Sequence, residues 1–467
     1  MNHQHHEHEP DRPDAGRATS RWWAFGLAGV TGLALTAAGV TVTPAADAVA
    51  HTLTSTGSER PNGSSAEDDR GKHDDGKHDD KGKDDKGRGK KGKEPKGIPV
   101  PCNTDKLIAA ITLANARGGA VLDLAPKCTY LLTANIDGAG LPAITTPISL
   151  NGGKHTTIKR AAAADQFRIF TVNTGGDLTL NHLKITGGNS EADGGAILVN
   201  IGAELTTNHS TITHNIANDG GGIDNLGSTT VNHTTVGRNM SQGAGGGISN
   251  TAGALTIVNS YIMANTSLDG GGVASTSSAD SVTIAKSVFA DNTTRGIGGG
   301  LIINSGVGRI SDTKFKNNRA NNVGGGVYTD RPTTLQNVKI ISNVAPTGRG
   351  GGLFTDINSA VVVEKSLIRN NTATASFGGG VYNAGELVMR KAEAIGNRAD
   401  QGGGIYNADT GTLTLFDTKV VKNVALTDGG GIFNEAGGTV NLNIASGTFV
   451  VKNNPTNCSG DVPDCAG

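Results

Sequence analysis

The chain has 467 residues, 70 of them glycine and only 4% aromatic, with a formal net charge of −1. So few large rings exclude a globular core built on aromatic side chains, and near-neutral charge gives no electrostatic case for nucleic acid as a partner. The glycines follow no Gly-X-Y period, which excludes collagen.

Residues 1–21 are polar and carry His3, His5, His6 and His8 with Arg12, Arg17 and Arg21. An uncharged run, Trp22–Val42, leads to Ala48-Val49-Ala50. Basic lead, apolar middle and small-residue exit predict a signal peptide over 1–50 and a secreted, extracellular or surface-associated protein with no membrane contact after cleavage. An uncleaved anchor is the alternative, since about 20 apolar residues can span a bilayer. The histidines lie in the part predicted to be removed, so no metal and no cofactor is assigned to them.

Residues 51–98 carry runs such as Asp74-Asp75-Gly76-Lys77-His78-Asp79-Asp80 and almost no apolar residue. Such a segment cannot bury enough surface to offset its ordering entropy, so a disordered, solvated linker is expected. A cap and first strands are predicted over 99–134. Apolar residues at helical spacing run from Asp105 to Ala116, with Thr104 as N-cap and Gly118-Gly119 as the stop. Ala120–Leu124 and Tyr130–Thr133 read as short strands. The helix is the candidate lid over the open end of a stacked core. In an exported chain, Cys102 with Cys128 and Cys458 with Cys465 read as two sequence-local disulfides.

From 135 to 467 the chain repeats. Asp219-Gly220-Gly221-Gly222-Ile223 returns at Ile248, Val273, Leu301, Val327, Leu353, Val381, Ile405 and Ile432, and Gly194-Gly195-Ala196-Ile197 precedes it; successive anchors lie 24 to 28 residues apart. Within a turn, alternating residues such as Leu255 and Ile257 lead to Ile262, Asn265, the glycines and Val273. Period-two alternation says strand, and no single turn can bury its own apolar side. Stacked turns can, so the fold class is an all-β parallel β-helix solenoid of 11 to 12 turns of about 26 residues. Two asparagine columns, Asn215 through Asn423 and Asn225, Asn250, Asn383, Asn407 and Asn434, are read as structural ladders.

The Gly-Gly-Ala-Ile and Gly-Gly-Gly-Ile boxes, with Ser287–Asn292 and Thr313–Asn318, resemble the repeats of polymorphic outer membrane proteins. The segment Leu107–Ala116 is similar to the N-terminal segment of secreted bacterial β-helix repeat proteins. The resemblance implies a right-handed solenoid outside the cell, often tied to adhesion. No closing barrel sequence follows the repeats, so outer-membrane anchoring is not expected.

Chemistry is sparser. Asp330 and Asp356, read as aspartates replacing ladder asparagines, lie near Arg331 and Arg349, and are the one acid/base cluster on the repeats. His182, His209, His214 and His233 read as scattered surface residues. Gly220–Asp224 approaches a calcium-binding nonapeptide once, but the period is wrong and the aspartate does not recur. One residue after the anchors stand Tyr328, Phe354, Tyr382, Tyr406 and Phe433. If the anchors point inward, these rings point outward as a stripe suited to sugar rings or a protein. The alternative is stacking that stiffens the C-terminal half, or burial beneath a loop. These readings make a non-enzymatic adhesion or envelope/glycan scaffold the expected function, with a polysaccharide or cell-surface protein as partner and a monomer as its state. A polysaccharide lyase or glycosidase on the same solenoid is the alternative, because the fold alone does not decide.

Overall fold

The computed structural model describes residues 97–465; the predicted signal peptide and nearly all of the predicted linker lie outside this range. Each turn starts with a five-residue strand such as Ala254–Val258, whose Leu255 and Ile257 are buried while its other residues are half-exposed. A three-residue strand, Tyr261–Met263, follows with only Ile262 buried. Beyond the glycines comes a third strand, Val273–Ser275, buried throughout. Repetition builds three long sheets: a first of 14 strands, from Ile98–Val100 to Thr439–Asn443; a second of 13, from Thr129–Leu132 to Phe449–Val451; and a third of 12, from Phe170–Val172 to Cys458–Ser459. Neighbouring strands pair in parallel, as Leu255 with Val282 and Ile262 with Phe289. This is an all-β parallel solenoid with one α-helix among the described residues. Its 14-stranded sheet exceeds the expected 11 to 12 turns because the first rungs, up to Pro147–Asn151, carry no glycine box.

The helix, Thr104–Ala116, closes the N-terminal end with Leu107, Ile111 and Ala114 buried against the first strands. Its N-cap is Asn103, not Thr104: the Asn103 side chain accepts from the Lys106 amide at 2.9 Å, while the Thr104 hydroxyl donates to the Leu131 carbonyl. Cys102–Cys128 ties the cap to the second sheet, and Cys458–Cys465 closes a short loop whose Val462 packs on the last rung.

Inside, one ladder runs almost the length of the solenoid. Asn239 donates through its backbone N–H and its Nδ2 to Asn265 Oδ1, at 3.0 and 3.2 Å, and Nδ2 also reaches the Ile212 carbonyl. The pattern repeats through Asn292, Asn318, Asn343, Asn371, Asn397, Asn423 and Asn453, with sequence steps of 24 to 30 residues. From Asn239 onward each side-chain oxygen takes two donors from the turn before it, so buried amides are satisfied rather than stranded. Beside it, buried hydroxyls form a second ladder, the Thr234 amide donating to Ser260 Oγ and the Ser260 amide to Ser287 Oγ, both at 3.1 Å.

Removing one rung of the amide ladder strands its neighbours. In Asn318→Ala, the Asn292 N–H loses its acceptor, Asn292 Nδ2 keeps only the Ile262 carbonyl, and the Phe289 carbonyl loses the amide donor. Each orphaned buried group costs about 1–3 kcal/mol, so the thermal midpoint should fall by several degrees. A melt indistinguishable from wild type would show that the ladder contributes nothing.

Candidate functional site

The third sheet has an outer side, and its chemistry changes along the solenoid. Register places Leu198, Asp224, Ser249, Ala274, Ile302, Tyr328, Phe354, Tyr382, Tyr406 and Phe433 in one column. Its apolar members from Ala274 onward form a hydrophobic cluster separate from the solenoid interior. The rings stack face to face: centroid distances are 5.4, 4.8, 5.3 and 5.0 Å from Tyr328 to Phe433, with interplanar angles of 4 to 13°.

The stripe is not the open platform expected. Tyr328, Phe354, Tyr382 and Tyr406 are 8, 7, 5 and 4% exposed, and only Phe433 is half-buried. What covers them is the residue preceding each glycine box: Ala244, Ile297, Val323 and Phe377 pack on the same cluster. Phe377 stacks on Tyr406 at 4.8 Å, and the Arg349 guanidinium lies 5.1 Å from the Tyr382 centroid and 5.7 Å from that of Phe377. Burial beneath adjoining chain is therefore what the structure shows. The spacing held the signal, since these residues recur at the same period.

Each tyrosine hydroxyl ends on a polar rim. Tyr328 donates to Asp356 Oδ2 at 2.7 Å, Tyr406 donates to Glu435 Oε2 at 3.0 Å, and Tyr382 Oη accepts from Arg349 at 3.0 Å. Burial first, and then the carboxylates of Asp356 and Glu435, raise the Tyr328 and Tyr406 hydroxyls well above the ordinary phenol range; burial raises Tyr382 against the opposing pull of Arg349. These phenols remain neutral donors or acceptors. Asp330 lies 3.8 Å from Arg331 Nε, its carboxyl raised mainly by burial. Asp330 and Asp356 are not in the ladder column. Thr329 pairs with Thr355 and Thr355 with Asn383 there, and the two aspartates stand one residue further on. Of the anticipated cluster, Asp330 contacts Arg331 and Asp356 holds Tyr328, and the two carboxylates are near enough that Asp356 adds to the rise of Asp330.

At the early end the column turns acidic, a feature the sequence reading did not pick out. Asp224 is 3% exposed and its Oδ1 has no hydrogen-bond partner. Burial, then the neighbouring Asp193, push its carboxyl up to about 7, against a hydrogen bond from Ser249. Asp193 Oδ1 accepts from the Asp219 amide at 3.1 Å, and Asp219 accepts from the Ala244 amide. Arg168, itself 9% exposed, donates to the Asp193 carbonyl at 3.1 and 3.0 Å. Three histidines are less scattered than they read: His182, His209 and His233 stack at 5.0 and 4.6 Å on successive turns, in the left-handed conformation. Among the described residues, no group of three His, Cys, Asp or Glu is arranged to hold a metal ion.

No family model and no curated protein sequence matches the chain. Among solved structures it is similar to PfbA, a surface adhesin of Streptococcus pneumoniae, at 14% identity over 72% of this chain and 88% of that one, with a TM-score of 0.34. It is also similar to the A-module of the Azotobacter vinelandii mannuronan C-5 epimerase AlgE4, at 14% identity over 78% of this chain and 96% of that one, with a TM-score of 0.36. Likeness at this level concerns the fold alone.

Two outcomes follow from this seam. Tyr382→Ala removes a ring packed on both faces and should cost about 3–5 kcal/mol, whereas Tyr382→Phe loses only the Arg349 hydrogen bond, about 1 kcal/mol; equal melts for both variants would contradict the packing. Asp224 binds its proton more tightly folded than unfolded, so stability falls as pH rises from about 4 to about 7. Asp224→Asn should flatten that decline and melt higher than wild type at pH 8, with the gap closing at pH 4. Parallel wild-type and variant curves would refute the assignment.

Proposed function

We propose that the chain is an exported β-helix that holds an envelope or extracellular polysaccharide without turning it over. The observation that carries this reading is the fate of the acid/base groups on the outer seam: Asp356 and Glu435 are bound to tyrosine hydroxyls, and Arg349 is bound to Tyr382 and laid over rings. Hydrolysis needs a carboxylate pair facing one substrate. Here these carboxylates and this arginine brace a stack instead. The two disulfides are consistent with an oxidising compartment, and no helix among the described residues is long and apolar enough to cross a membrane. The glycine boxes support a right-handed solenoid of the polymorphic outer membrane repeat type. A repetitive surface more than a dozen rungs long offers many weak contacts in line, which suits a polymer better than a small ligand.

A carbohydrate-active enzyme is the second reading, favoured by Asp224, whose carboxyl titrates near neutral beside Arg168. Incubating the full chain with cell-wall polysaccharide and with uronate polymers, then measuring retention, reducing ends and unsaturated ends, separates the two. Retention without new ends is expected. Turnover abolished by Asp224→Asn would replace the adhesive reading with the enzymatic one.

A further inference from the structure

We propose that the outer face of the second sheet, across the strands Lys314–Lys316, Lys339–Ile341 and Leu367–Arg369, binds a linear polysaccharide bearing carboxylate or sulfate groups. This names the ligand class for the envelope-glycan reading and rests on it. Strand alternation makes the face. Phe315, Ile340 and Ile368 are buried in the interior, so the residues on either side of each point out. Register sets Lys314 directly beside Lys339, and Lys316 in one column with Ile341 and Arg369. In the left-handed turns along one edge stand Lys365 and Lys391.

Most of these cations lack an ionic partner. Lys365 pairs with Glu364 at 3.4 Å, but among the described residues Lys314, Lys316, Lys339 and Arg369 make no ion pair. Three acids lie nearby: Asp291 accepts from Asn317 Nδ2 at 3.1 Å, Asp312 accepts from Asn337 Nδ2 at 2.6 Å, and Glu393, beside Leu367 on the next rung, pairs with Lys419. Like charges directly opposite on adjacent strands repel. The chain as a whole is near neutral, so this is a local concentration of positive charge that a bound anion would relieve.

The spacing suits a polymer. Each of the three rungs carries a cation, Lys314 with Lys316, then Lys339, then Arg369, and rungs stand about 4.8 Å apart, comparable to the length of one pyranose unit. A polyanion lying along the axis would meet charge on successive rungs. Each exposed pair is weak, but several held in line add up. Single-stranded nucleic acid on a flat sheet calls for exposed aromatic rings on which bases stack, and the outward residues of these three strands are Lys314, Lys316, Lys339, Ile341, Leu367 and Arg369.

The test measures binding of the full chain to polygalacturonate, heparin, neutral dextran and duplex DNA, alongside retention on cell-wall material. Binding to the first two and not to dextran is expected, weakening about tenfold between roughly 50 and 200 mM salt as screening and counterion effects grow. Lys314→Glu with Lys339→Glu should weaken it by about tenfold or more, while Lys106→Glu with Arg117→Glu on the cap helix, an equal change in net charge, stays within about twofold. Lys314→Gln with Lys339→Gln, melting like wild type, guards against misfolding and should also bind more weakly. Wild-type affinity in the charge-reversed protein overturns the proposal, as does equal binding to dextran or tighter binding to DNA. Retention on cell wall without affinity for either polyanion removes the ligand assignment and leaves the envelope reading standing. Binding to none of these materials removes both.

Discussion

The closeness of one turn to the next is the constraint on which this solenoid depends. At the third glycine of each box there is no room for a side chain. A Cβ on Gly272 would lie 2.4 Å from the Gly300 carbonyl oxygen, and one on Gly326 would lie 2.6 Å from that of Gly352. The same missing atom admits the ladder amide: a Cβ on Gly247 would meet Asn265 Nδ2 at 3.0 Å, and one on Gly300 would meet Asn318 Nδ2 at 3.1 Å. The first glycine has a different duty, since Gly270 adopts φ of +62°, where a Cβ is strained. Glycine box and asparagine column are thus one device. The glycine lets the next turn's amide approach, and the amide binds the backbone that the approach exposes.

That device makes the interior nearly uniform and frees the exterior. Inward columns stay apolar, as in Ile185, Ile212, Val236, Ile262, Phe289 and Phe315, although the side chain shrinks to alanine at Ala394. Outward columns change in blocks. The seam over the third sheet is acidic around Asp193, Asp219 and Asp224, aliphatic around Ala274, Ile297 and Ile302, and aromatic from Tyr328 onward. The left-handed turn after the first sheet is histidine in three successive rungs, then becomes Asn259, Lys286 and Asp312. Blocks of one kind on adjacent rungs let neighbours stack, as the imidazoles and phenyl rings do.

The solenoid was legible because it is periodic. Alternation marked the strands, the glycine spacing gave the turn length, and the amide column was visible as a column before any contact was known. The misreadings have different causes. Thr329 and Thr355, not Asp330 and Asp356, hold the ladder position: that column stands two residues after each anchor, and the aspartates stand three after Val327 and Leu353. The rings were read as exposed because alternation tells which side of a strand a residue occupies, not what folds over that side. The covering residues, Val323 and Phe377 among them, precede the glycines and have no common side-chain type. Asp224 is read in the sequence only as the aspartate of a rejected calcium loop, because its burial beside Asp193 and Asp219 is set by contacts between turns.

Burial of the aromatic seam changes how this exterior can bind. Stacked rings capped by Asp356, Arg349 and Glu435 present edges and charged tips to solvent, not faces, so they stiffen the C-terminal turns rather than receive sugar rings. Contact with a partner then falls to exposed side chains that stand free of such bracing. On the second sheet these are held outward by a strand whose alternate residues are locked in the interior, so their spacing follows the rung repeat and not the mobility of a loop. In a repeat protein each turn leans mainly on its neighbours, so outer substitutions perturb stability locally while the array keeps its pitch. In the proposed reading such a surface recognises repetition, and its affinity should scale with the number of rungs a polymer can engage at once.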